Sequence, residues 1–114
     1  MIRTEPFPHI IWDNFLPKDK LNSVLKEFPD IDSHLWTWKS NDKNSIKYMC
    51  QDSELILSLR SITKIIRYFN SEHFCSVLSS LFEIPDLKSD INLAGGGLHM
   101  IGQGGFLKVH ADFN

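Results

Sequence analysis

Two glycine clusters near the C-terminal end, Gly95-Gly96-Gly97 and Gly102-Gln103-Gly104-Gly105, constrain the fold more than any other feature of the sequence. Between them lies a short apolar piece, Leu98-His99-Met100-Ile101, and after them the residues alternate from Phe106 to Phe113. Short β-competent runs bounded by glycine read as strand, turn, strand. In the second run Leu107, Val109, Ala111 and Phe113 share one face, and Phe106, Lys108, His110 and Asp112 share the other. His110 and Asp112 are then neighbours on one face of one strand, with Cβ atoms roughly 6.5–7 Å apart. An imidazole and a carboxylate so placed can converge on a divalent metal of intermediate hardness, with iron(II) a natural candidate.

A bare His-x-Asp triplet carries little information, and two solvated polar residues at a strand end would read the same way. The longer run is more specific. GGGLHMIGQGGFLKVHADFN resembles the first metal-ligand region of iron(II)- and 2-oxoglutarate-dependent dioxygenases of the prolyl-hydroxylase-like branch. The opening PFPHIIWDNFLPKDKLNSVLKEFP is similar to the N-terminal strand and helix of the same branch. The resemblance implies a double-stranded β-helix (jelly-roll) with helices packed outside its sheet. It also implies iron(II) on His110, Asp112 and a later His, with open positions for 2-oxoglutarate and dioxygen and hydroxylation of a C–H bond. Ascorbate is a further cofactor candidate in such an enzyme. Two features depart from the family pattern. The second His and the basic residue that anchors 2-oxoglutarate belong downstream of Asn114, so the expectation is an N-terminal fragment whose longer form is the active one. The position that often carries a cosubstrate-binding Tyr, three residues before the first ligand, is Leu107.

The remaining sequence fits one domain over 1–114, with 1–93 as a strand-and-helix support region and 94–114 as the start of the β-helix core. At 42% hydrophobic residues, with eight Phe, a core is affordable for a chain of 114 residues. A net charge of −2 with both signs interspersed leaves no footprint for nucleic acid or an anionic membrane. No run approaches the ~18 apolar residues of a membrane span, and MIRTEPFPHII lacks the pattern of a signal peptide. Cys50 and Cys75 stand in no CxxC pattern and read as reduced thiols of a cytoplasmic protein.

Along the chain, EPFPHIIWDNFL (5–16) reads as a short edge strand, since Pro6 and Pro8 oppose a helix start. Pro17 suits the first turn of a helix carrying Leu21, Val24, Leu25 and Phe28 on one face, and Pro29 ends it. Leu35–Lys39 and Ile46–Cys50 make a plausible hairpin around Asn41–Asn44. Trp36 and Trp38 would then form an aromatic wall or, more ordinarily, sheet-covering material. Residues 53–69 show an i, i+4, i+7 stripe through Leu55, Leu59, Ile62, Ile66 and Phe69, which predicts one buried helix. Ser71 is placed to N-cap a second helix, to about Phe82, with Phe74, Val77, Leu78 and Leu81 inward. Arg60, Lys64 and Arg67 form one exposed basic ridge that requires no ligand. Pro85-Asp86 opens a loop to Asn92.

The class is α+β. The helices are expected to cover the apolar face of the terminal strand, leaving His110 and Asp112 facing a cavity. His99 is a candidate cavity-lining residue, while His9 and His34 read as structural. Besides the oxygenase, two readings stay open: a non-catalytic binding module with a degenerate or truncated metal site, and a hydrolytic zinc site. The zinc site wants three converging ligands, which the sequence does not display. Substrate and oligomeric state are not encoded in any motif found.

Overall fold

The computed structural model describes residues 2–40, 46–94 and 96–111. The expected turn at Asn41–Asn44, together with Asp112 and Phe113, lies outside the described residues. Among the described residues, four helices and three short strands make the class α+β. The chain forms two compact units, Met1–Phe28 with Leu59–Asn92, and Pro29–Ser58 with Leu93–Asn114.

The first unit is helical. Helix α1 spans Lys18–Glu27, preceded by Pro17 at φ −57°. The Pro17 carbonyl accepts from Leu21 N–H at 3.1 Å, so the ring sits where its missing donor costs nothing. The helix stops as Phe28 turns extended ahead of Pro29. Its apolar face is only half covered: Val24 and Phe28 are half-buried, whereas Leu21 and Leu25 are exposed. The strand expected over 5–16 is absent. In its place Arg3 and His9 pair in a single antiparallel bridge, closing a turn that contains the cis Glu5–Pro6 peptide. Pro6 and Pro8 have no N–H to donate to a ladder, and only the bridge at the ends of the turn forms.

The single helix expected over 53–69 is two helices, α2 at Ser53–Leu57 in the second unit and α3 at Arg60–Phe69 in the first. Between them the Ser58 hydroxyl donates to the Leu55 carbonyl at 2.6 Å and Leu59 is extended. The side chain thereby competes with helix continuation. Glu27, at the end of α1, then caps α3. Its carboxylate accepts from the N–H groups of Ser61 and Ile62 at 2.6 and 3.2 Å and from the Ser61 hydroxyl at 3.1 Å. Orphan donors at a helix start are satisfied this way, and a negative charge suits the positive end of the dipole.

Helix α4 spans Glu72–Phe82 and begins as expected, with the Ser71 hydroxyl oxygen accepting from Phe74 N–H at 3.2 Å. Phe74, Val77, Leu78 and Leu81 are half-buried, and Cys75 is buried. Phe15 stacks on Phe69 with ring centroids 5.9 Å apart, and Phe69 meets Phe74 edge-on at 5.1 Å. Ile62 and Thr63 are also buried in this unit. The loop after α4 is tied back by Asn70, whose amide donates to the Asp90 carbonyl and whose oxygen accepts from Asp90 N–H at 2.8 Å.

The second unit holds a three-stranded antiparallel sheet in the order β1-β2-β3, where β1 is Trp38–Lys39, β2 is Lys47–Cys50 and β3 is Leu98–Ile101. The hairpin is the expected one, shortened, with Trp38 opposite Met49 and Lys39 opposite Tyr48. The β3 piece also forms where the glycines bracket it, but its partner is β2, in the register Lys47↔Ile101 to Cys50↔Leu98. Tyr48, Cys50 and Leu98 alternate onto the buried face, and Leu35 and Ile56 are buried in the same unit. Gly97 takes a positive φ of 151°, and a Cβ there would come within 2.3 Å of the Cys50 carbonyl oxygen. Backbone approaches backbone at this point, and only glycine fits.

The candidate metal-ligand segment

The glycine turn that leads into the segment is formed. Gly105 N–H donates to the Gly102 carbonyl at 2.9 Å, and Gly104 has φ +83°. Beyond it the expected strand does not form: residues 106–111 are irregular and pair with no strand among the described residues. Alternation supplies two faces but no partner for the backbone, and an unpaired ladder has no reason to persist in water. The supposed apolar face is open. Leu107 is 50% exposed and Val109 fully so. His110 is likewise exposed.

His110 nevertheless has a defined local arrangement. Its Nδ1 lies 2.7 Å from the Lys108 carbonyl oxygen. A carbonyl can only accept, so Nδ1 carries a proton, and in the neutral ring Nε2 carries the lone pair. Metal-binding histidines commonly engage their other ring N–H with a backbone carbonyl, which fixes the tautomer. The donor chemistry at His110 therefore fits a metal ion bound through Nε2. The contact is also a local habit of this chain, because His9 makes the same contact with the Phe7 carbonyl at 2.8 Å.

Asp112 lies outside the described residues. Among the described residues no three His, Cys, Asp or Glu side chains gather to hold a metal. His99 sits in β3 opposite Met49, exposed, on the sheet face away from Tyr48 and Cys50. It is an exposed residue of the sheet. Cys50 and Cys75 are free thiols, both buried. Trp36 is half-buried and donates its indole N–H to the Asp30 carbonyl at 2.7 Å, whereas Trp38 is 47% exposed. The two indoles therefore do different work and build no common wall.

In the helical unit a cleft of about 260 Å³ is lined by Leu16, Lys20, Ser23, Lys64, Ile65 and Tyr68, among others. It contains no imidazole or carboxylate. Arg60, Lys64 and Arg67 are all exposed on α3, as expected of a solvated ridge. No described helix is long and apolar enough to cross a membrane. No family model, curated protein or solved structure matches the chain.

The Glu27 cap and the pairing of β2 with β3 both escaped the sequence reading. Glu27 is 34 residues from the N–H it caps at Ser61, so no local capping pattern could reveal it. The β2–β3 pairing joins strands about fifty residues apart, and no local pattern specifies it.

Proposed function

We propose that the full-length protein is an iron(II)- and 2-oxoglutarate-dependent dioxygenase of the prolyl-hydroxylase-like kind, hydroxylating a C–H bond. The observation that carries this reading is the run from Gly95 to Phe113, with its glycine clusters, apolar β piece and His110-x-Asp112 in family-like order. The Lys108 carbonyl at His110 Nδ1 supports it by fixing the ring tautomer, with Nε2 the lone-pair nitrogen of the neutral imidazole. His110 and Asp112 would supply two donors of a facial triad, and a further His and a basic anchor for 2-oxoglutarate would come from additional chain. Bound iron(II) with 2-oxoglutarate would supply the oxidising power for hydroxylation. The chain's own part is to hold an imidazole and a carboxylate two residues apart, which the β-helix strand of the finer fold reading would do once a neighbouring strand pairs with residues 106–113. Gly102–Gly105 would turn the backbone into that strand.

A second reading is favoured by a specific observation. Leu107, Val109 and His110 are exposed, and no three-donor group stands among the described residues. A non-catalytic binding module would need neither. Anaerobic titration of the full-length protein with iron(II) and 2-oxoglutarate separates the two. Charge-transfer absorbance supports the oxygenase. A folded protein that develops none leaves the binding module standing.

A further inference from the structure

The register of the sheet places Trp38, Met49 and His99 in one row, Trp38 opposite Met49 and Met49 opposite His99. Directly paired residues project from the same face, with Cβ atoms about 5 Å apart. This is the open face. Trp38 is 47% exposed, His99 is exposed and Met49 is half-buried, while the alternate residues Tyr48, Cys50 and Leu98 are buried. The Met49 thioether, on a side chain with three rotatable bonds, thus stands between an imidazole on one side and an indole on the other.

We propose that this row is a binding site for a soft monovalent metal ion, copper(I) by chemistry. Met49 Sδ and a ring nitrogen of His99 are the donors, and the face of the Trp38 indole caps the ion. A thioether beside an imidazole selects a soft ion over a hard one. An indole is the side chain whose face attracts a cation most strongly. The remaining strand residues on this face are Lys47 and, opposite it, Ile101. They bring a positive charge and no anionic ligand, which disfavours a divalent ion and leaves a monovalent one that needs few donors. The site is separate from His110 and does not rest on the oxygenase reading.

The test uses the full chain under anaerobic conditions, with copper(I) supplied from a chromophoric chelator and tryptophan emission followed in parallel. One ion is expected per chain, with quenched emission. Met49→Leu and His99→Gln should each weaken uptake by at least about tenfold, a difference readily resolved as a change in Kd. Trp38→Phe should keep the ion within a few-fold and lose most of the quenching. Met49→Leu conserves volume on a half-exposed face and is expected to fold, which far-UV circular dichroism checks. His110→Ala should leave copper(I) uptake unchanged. Unaltered uptake in folded Met49→Leu and His99→Gln forms would overturn the proposal. So would loss of uptake in a Cys50→Ser or Cys75→Ser form, which would assign the ion to the buried thiols.

Discussion

Glu27 shows how much one residue can carry across a long stretch of chain. Partial burial pushes its pKa up, but the N–H groups of Ile62 and Ser61, the Ser61 hydroxyl and the charge of Arg60 together outweigh that, and its carboxyl is held below the usual range. A carboxylate with a depressed folded pKa stabilises the fold fully above its unfolded value, about 4.3 for Glu. That contribution fades as pH falls through the lower folded value. Glu27→Gln is therefore expected to lower the thermal midpoint at pH 7 and to flatten the acid limb of the stability profile, as read by melts from pH 7 down to pH 3. A parallel loss at every pH would contradict the capping role. Gly97 acts by what it lacks. Gly97→Ala must push the backbone of β2 aside, so it should destabilise the sheet more than Gly104→Ala, where a Cβ meets nothing within 4 Å. Equal midpoints for the two variants in urea would count against this. At this scale the sequence made His110 visible as a donor but not its Lys108 partner, because a contact to a carbonyl depends on backbone angles that a residue list does not specify.

At the scale of elements, the capped and punctuated pieces were legible. Pro17 and Pro29 bounded α1, Ser71 opened α4, and glycines bounded β3. The break between α2 and α3 was not, since the apolar stripe runs through Ser58-Leu59 without interruption. Asp52 shows why α2 holds as a separate short helix: its carboxylate accepts from the N–H groups of Glu54 and Leu55 at 2.9 and 3.1 Å. Asp52→Ala should cost about 1 kcal/mol, measurable by denaturant unfolding, if that cap helps to stabilise α2. Ile62, 4% exposed on α3, anchors the helical unit. Ile62→Ala should cost about 2–5 kcal/mol by the same measurement, and a loss under about 1 kcal/mol would show that the site is not a core position. The described part of the run, 106–111, failed as a strand for a different reason. Period-two alternation reports which residues would share a face, but a strand exists only where another backbone accepts its hydrogen bonds.

At the scale of the molecule, the chain divides its work between a helical unit and a unit built on the three-stranded sheet. The α+β class was readable from the pattern of elements, while the order β1-β2-β3 depended on a pairing across about fifty residues that no local signal encodes. The candidate ligand segment belongs to the sheet unit and follows its last described strand. The measurement that bears most directly on the proposed function is an anaerobic iron(II) titration of the full-length protein beside its His110→Ala form. The expected result is one iron(II) per wild-type chain with 2-oxoglutarate-dependent absorbance, both lost in a His110→Ala protein whose circular dichroism is unchanged. Iron(II) uptake by that folded variant at wild-type strength would contradict the assignment of His110 as a ligand.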